Sequence, residues 1–283
     1  MSLKSSYFSF ILLGFIAFQV PLSTSQAQTS HDIVFQMLKA IDEVKTVKYT
    51  LNITERIGGA LRSTSSQVKL QRFPRKLYFI SKGREILWVQ GENNGNALVN
   101  PHSFPYINLN LDPNGSVMRK NQHHTIFEMG FDYFGDIIRD FTKKNSDKFN
   151  QYFIYTGQEV WSQRVCDKVI MTYPPFAFIP YTVKKGETII SIAQRLKLSE
   201  YMILENNPGL SGYEDVTEGQ QIKIPNIYAK MVILYIDHQN HLPINCLIYD
   251  DKGLFESYSY SNLLVNPVIK DEEFKKDYKD YGF

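Results

Sequence analysis

Apolar residues recur at three- and four-residue spacing at Ile33, Val34, Met37, Leu38 and Ile41. That interval lays them along one face of an amphipathic helix, with Ser30 placed to cap it. The period then changes to two. Val47, Tyr49, Leu51 and Ile53 alternate with Lys48, Thr50, Asn52 and Thr54, which predicts a strand with one buried and one wet face, ending at a Gly58-Gly59 hairpin turn. Further strand-like runs fall at Val68 to Leu70, Leu77 to Ile80, Ile86 to Val89 and Ala97 to Val99, divided by Pro74, Lys82-Gly83 and Asn93-Asn94-Gly95. After the turn at Asp112 to Gly115, Thr125 and Glu128 form a capping-box pattern that opens a second helix carrying Phe131, Phe134, Ile137, Ile138 and Phe141. Strands resume at Tyr152 to Tyr155, Val165 to Thr172, Met231 to Ile236, Ile244 to Tyr249 and Phe255 to Tyr260. Helices segregated from a long antiparallel run make an α+β class.

Between the second and third of these last strands the texture changes, with Pro174, Pro175 and Pro180 at the entry and Pro225 at the exit. Tyr181 and Val183 read as a short strand and Gly186 as a turn. Thr188 caps a helix whose Ile189, Ile192, Ala193 and Leu196 share a face. Ser199 caps a second helix bearing Met202 and Ile203, stopped at Asn207-Pro208-Gly209, and Gly219 turns the chain into Ile222 and Ile224. From Tyr181 to Pro225 this strand-helix-helix-strand unit resembles a LysM module. The resemblance implies a shallow groove for N-acetylglucosamine polymers such as peptidoglycan, with Gly186, Glu187, Thr188 and Ile189 facing Asn207, Pro208, Gly209 and Leu210. Glu187 stands where the family usually has aspartate, and Ile189 and Val216 where it has leucine. Backbone amides beside glycine suit an acetamido group, and Ile189 or Leu210 suits its methyl and the sugar ring. The competing reading makes Gly186, Asn207 and Pro208 fold determinants only. One such groove should bind with a Kd on the order of 10 μM to 1 mM.

The two ends of a LysM module are neighbouring strands, so it interrupts a hairpin at little cost. Removing it joins Thr172 to Met231 and leaves one host, residues 28–173 and 228–283, around a module at 180–226. The host resembles the outer-membrane lipoprotein carrier (LolA-like) superfamily and, more closely, a bacterial family of secreted proteins sharing that fold. The residues that carry this are Thr54-Glu55-Arg56, Gly91-Glu92-Asn93, Arg119 and His124, Leu242-Pro243-Ile244, Tyr249-Asp250, Tyr258-Ser259-Tyr260 and the stretch from Asp271 to Phe283. It implies a curved antiparallel sheet, a half-barrel, wrapping helices. With 19 Phe and 18 Tyr, many on alternating strand faces, an apolar cavity for a lipid, acyl chain or lipoprotein is the alternative to a glycan-only binder. A wall-hydrolase accessory is a third reading.

Composition narrows the partners. With 31 basic against 29 acidic side chains there is no field to favour nucleic acid. Lys4, the apolar run Tyr7 to Val20 and Ser25-Gln26-Ala27 read as a signal peptide, residues 1–27, without a cysteine for lipid attachment. The expected location is therefore periplasmic or secreted, with no transmembrane segment in the mature chain. Cys166 and Cys246 fall on strands separated by a third, about 9 to 10 Å apart against the roughly 7 Å a bridge needs, so buried free thiols are expected over the disulfide that an oxidising compartment would permit. His123 and His124 beside Glu128 are assigned to structure, because Glu128 serves the capping box and no other acidic partner is close in sequence. Neither a paired-cysteine, Gly-x-Ser-x-Gly nor His-Glu-x-x-His pattern occurs, so no enzyme activity, metal or cofactor is expected. The tail from Asp271 to Lys276 reads as a solvated surface.

Overall fold

The computed structural model describes residues 29–104 and 106–283. The expected leader lies outside them. The first helix, α1 (Ser30–Glu43), is capped by Thr29 rather than Ser30: the Thr29 hydroxyl accepts from Asp32 N while the Asp32 carboxylate accepts from Thr29 N. Its apolar face buries Ile33, Val34, Met37, Leu38 and Ile41.

Six strands follow as a meander: β1 (Thr46–Ile57), β2 (Ala60–Gln71), β3 (Lys76–Ser81), β4 (Arg84–Val89), β5 (Ala97–Asn100) and the unanticipated β6 (Leu109–Leu111). A segment with one helical turn, α2 (Ser116–Arg119), then crosses the sheet to α3 (Asp132–Lys144) and the short α4 (Phe149–Tyr152). The helix expected from Thr125 is broken. Thr125 and Glu128 do form their capping box, but around a single 3-10 turn, Ile126–Glu128. Gly130 at φ +96° then turns the chain against Leu70 before α3 begins. The remaining strands of the host are β7 (Phe153–Trp161), β8 (Arg164–Thr172), β11 (Met231–Asp237), β12 (Pro243–Asp250) and β13 (Gly253–Val265). The inserted unit supplies β9 (Phe178–Thr182), α5 (Ile189–Leu196), α6 (Glu200–Glu205) and β10 (Gln221–Pro225).

All eleven host strands form one curved antiparallel sheet in the order β6-β5-β4-β3-β2-β1-β13-β12-β11-β8-β7. The late strands close onto the first: β13 pairs with β1, which sets Leu51 opposite Tyr260, Ile53 opposite Tyr258 and Glu55 opposite Glu256. The helices cover the inner face over a core that includes Val47, Tyr49, Leu70, Leu77, Val169 and Leu234.

Cys166 on β8 and Cys246 on β12 are buried and unbridged, with β11 between them.

Thr172 pairs with Met231, so β8 and β11 are a hairpin with the inserted unit at its tip. Tyr173 N donates to Lys230 O (2.8 Å) and Asn226 N to Ala177 O (2.9 Å), leading the ribbon into the separate β9–β10 sheet. This unit has its own core of Val183, Ile189, Ile192, Ala193, Leu198, Ile203, Ile222 and Ile224.

Of the charges expected at a solvated surface, Asp271, Glu272, Lys275 and Lys276 are exposed, and Glu273 is the exception. Glu273 is buried and accepts from Lys48 and Lys69 at 2.8 and 2.9 Å, which holds its carboxyl at about 2 against the opposing effect of burial. Tyr281 stacks on Tyr78 at 3.7 Å, and Phe274 packs with Tyr78 and Leu87. Glu273, with Asp271 on Lys76, clasps an apolar seal over the outer face of β3 and β4. Phe274→Ala should therefore destabilise the protein by about 3 kcal/mol, the cost of emptying a buried aromatic site, read as a lower midpoint in urea unfolding.

Candidate functional site

The inward positions of β1 to β5 do not meet the helices everywhere. A cavity of about 520 Å³ remains between the sheet and the crossing segment with α3, within the size range of small-molecule sites. Its walls are mainly apolar: Leu51, Ile53, Phe79, Ile86, Val99, Ile137, Ile138 and Val232 among others. The inward row of β2 grades from Leu70 and Val68 in the core, through Ser66 and Thr64 on the wall, to exposed Arg62. A strand's alternation fixes which residues point inward, and their order along the strand gives the cavity a greasy base and a charged opening.

One wall is a buried polar cluster. Glu256, fully buried, accepts from His123 Nδ1 (2.8 Å) and His124 Nε2 (3.2 Å) through Oε2, and from the Tyr228 hydroxyl (2.7 Å) through Oε1. Glu55 accepts from His123 N at 3.1 Å, and Glu128 lies 3.6 Å from His124 Nδ1. The sequence reading that left these histidines without a further acidic partner is thus corrected. The partners come from β1 and β13, far away along the chain, and no local spacing reveals them. Burial opposes charge on His124, yet Glu256 and Glu128 outweigh it and raise its pKa well above the ordinary value. Burial likewise opposes charge on Glu256, but His124 and His123 hold it far below the carboxylate range. Glu55 goes the other way: its burial prevails over the nearby histidines and its pKa rises.

Glu55, His124 and Glu256 bring one ligand atom each within 4.8 Å of the others, a set that could hold a divalent cation. Both oxygens of Glu256 already accept hydrogen bonds, however, so the cluster is self-satisfied as a buried ion-pair network.

The inserted unit is bolted beside this cluster. Tyr201 of α6 stacks on His123 at 4.4 Å and accepts from Gly58 N at 2.9 Å. Glu200 pairs with buried Arg119, Glu205 with Arg56 at 3.3 Å, and Met202 enters the host core.

Of the eight residues expected to form the groove, Gly186, Pro208 and Gly209 are exposed. Thr188 caps α5 through Ser191 N (3.1 Å), and Leu210 is half-buried against the unit's core. Glu187 is engaged by the Tyr181 hydroxyl (2.7 Å), Lys184 N (2.9 Å) and Arg195 (2.7 Å). Asn207 is fastened to Ile203 O, Lys223 O and Lys223 N. Ile189 N donates to Tyr213 O at 2.9 Å, tying the two sides together. Ile189 itself is completely buried, so its side chain cannot pack on a sugar. The spacing that puts it on one face with Ile192 and Ala193 commits it to the core, and half-buried Ile190 takes the outer position.

Removing the carboxylate from the cluster should be costly: Glu256→Gln is expected to destabilise the fold by about 3 to 5 kcal/mol in urea unfolding, as breaking a buried pair does. The pH dependence has two limbs. The lowered pKa of Glu128 and Glu256 means that their contribution is complete above the unfolded value, about 4.3, and is lost as pH falls. The raised pKa of His124 means that its contribution is complete below about 6.5 and declines as pH rises towards its folded value. His124→Gln should abolish the alkaline limb and also shrink the acid limb, because His124 is the largest influence lowering both carboxyls, a result measurable by Tm against pH.

The family described as Protein of unknown function (DUF1571) matches residues 44–175 and 214–283, and the LysM domain matches residues 181–225. A comparison with curated proteins found no match. Among solved structures, the lipoprotein LppX of Mycobacterium tuberculosis is similar over 86% of this chain and 98% of its own, at 15% identity and a TM-score of 0.41. LprF of Mycobacterium bovis is similar over 85% and 94%, at 12% identity and 0.38. A LolA superfamily protein of Nitrosomonas europaea is similar over 89% and 100%, at 11% identity and 0.33. With a match over most of the host strands and a LysM domain between β8 and β11, the chain belongs to the DUF1571 family and carries a LysM domain within it.

Proposed function

We propose that this protein is a non-catalytic binding protein of the cell envelope that encloses an acyl chain of a lipid or lipoprotein in its sheet cavity and holds to N-acetylglucosamine glycan, peptidoglycan above all, through its LysM domain. The observation that carries the reading is the continuous, mainly apolar cavity inside the host, since a glycan-only binder leaves that space without a purpose. About ten methylenes moved from water into it would contribute about 8 kcal/mol, enough for micromolar binding. The glycan half rests on the paired loops around Gly186 and Pro208-Gly209, with Ile190 and Leu210 as the apolar contacts. On this reading a leader of residues 1–27 is removed, the host spans 28–173 and 228–283, and the module spans 180–226.

Two variants separate the halves. Ile53→Trp fills the cavity and should weaken uptake of a fluorescent fatty acid by about tenfold or more, leaving co-sedimentation with purified sacculi intact. Gly209→Trp adds bulk at an exposed position where a Cβ meets nothing within 4 Å. It should abolish sacculus binding while leaving acyl-probe uptake and Tm unchanged. Neither co-purified lipid nor probe uptake by the wild type would end the lipid half, and unchanged pelleting by the Gly209 variant would end the groove.

A further inference from the structure

The cavity opens at one end of the sheet, and the residues there share a character that ligand enclosure alone does not require. Among its lining residues Arg62, Lys82, Arg84 and Lys120 are exposed, and none of the four has an ion-pair partner among the described residues. The carboxylates in the same walls, Glu55, Glu128 and Glu256, are nearly or wholly withdrawn from solvent. The cavity's exposed lining therefore carries four cations without ion-pair partners among the described residues, on a chain whose total charge is only +2.

Exposed apolar side chains lie at the same end of the sheet. Asn100 pairs with Glu85, beside Arg84, so the loop from β5 to β6 leaves the sheet at this same end. It carries Phe104, 87% exposed, Tyr106, 76%, and Ile107, 54%. Val117 of α2 also lines the cavity and is 68% exposed. The base of the loop is held: His102 N donates to Asn100 Oδ1 at 2.9 Å and the His102 ring lies 3.5 Å from Glu85. A folded chain does not ordinarily leave such side chains together in water on one loop, and cations and apolar tips at one end of a sheet match the headgroup layer of a membrane.

We infer that this end of the sheet is a docking surface for an anionic lipid bilayer, with Arg62, Lys82, Arg84 and Lys120 on the headgroup phosphates and Phe104, Tyr106 and Ile107 entering the headgroup-acyl boundary. The cavity mouth then faces the bilayer, so a chain can pass between the two without crossing water. Only that transfer rests on the lipid reading above; the binding to a surface does not.

The test is flotation of the full chain with vesicles of phosphatidylglycerol and phosphatidylcholine in equal parts, against vesicles of phosphatidylcholine alone. Binding is expected to the anionic vesicles, to weaken with added salt, and to fall about fivefold for each cation neutralised. The fourfold variant Arg62→Gln, Lys82→Gln, Arg84→Gln, Lys120→Gln should lose about a hundredfold or more. Phe104→Ser with Ile107→Ser should lower affinity for the anionic vesicles while preserving the salt dependence. All these positions are exposed, and unchanged Tm verifies that the variants fold. Absence of flotation, equal binding to neutral vesicles, or equal binding by the fourfold variant would overturn the inference, as would a dimer in sedimentation that the Phe104 and Ile107 changes dissolve without any vesicle binding. Vesicle binding without acyl-probe uptake would instead keep the surface and remove the cavity's role.

Discussion

The pairing of β1 with β13 sets two carboxylates, Glu55 and Glu256, directly opposite one another on the buried face of a sheet. Like charges in that position repel, and neither has water to dissipate its field. Much of the structure can be read as the answer to this conflict. The crossing segment delivers His123 and His124 to the pair, and in doing so it is drawn over the concave face as a roof. Both His123 ring nitrogens face acceptors, Glu256 and the Arg56 carbonyl, and its ring lies between Phe255 and Tyr201. The His123 ring is thus also the seat on which the LysM domain rests.

With the roof fixed by electrostatics rather than by close packing, the space beneath it need not collapse. An empty apolar gap costs stability, because the lining atoms lose contacts that a filled core would give them. Here the span is fixed at one end by the histidine cluster and at the other by Arg75, which donates to the carbonyls of Phe127 and Met129 and pairs with Asp132. The walls are held apart by polar fixtures, and on the proposed reading an acyl chain restores the missing contacts.

Most of the sheet was legible in the chain because alternation survives wherever one face is wet, as at Val47 to Ile53 against Lys48 to Thr54. The LysM segment was legible because its caps, Thr188 and Ser199, and its turn glycines are local signals. What escaped was non-local. Glu256 lies 133 residues from His123, and only the β1–β13 register brings them together. The tail deceived for the same reason: Glu273 looks like a solvated charge until Lys48 and Lys69, on two early strands, are seen to meet it. Ile189 cannot serve both the helix's apolar face and the sugar, and burial decides the contest for the core. The break at Gly130 was hidden because the capping box at Thr125 is a true start signal, satisfied by a single turn.

The mode of insertion has a mechanical consequence. A module on a flexible linker would hold the protein near a glycan while leaving the cavity to point anywhere. This module grows from the tip of the β8–β11 hairpin, sends Met202 into the host core and is clamped by the Arg119–Glu200 pair, so its direction is fixed relative to the sheet. The β8–β11 tip, the β1–β2 turn that Tyr201 touches and the β3–β4 turn bearing Lys82 all lie at the same end. On the proposed reading, glycan engagement therefore orients the mouth as well as localising it. Orientation is what raises effective concentration at a second surface, because a second weak contact pays little further rotational entropy once the first has fixed the approach. A shallow groove of modest affinity then suffices, provided that it is rigidly mounted, and the buried ion pairs at the module's root are the means of mounting it.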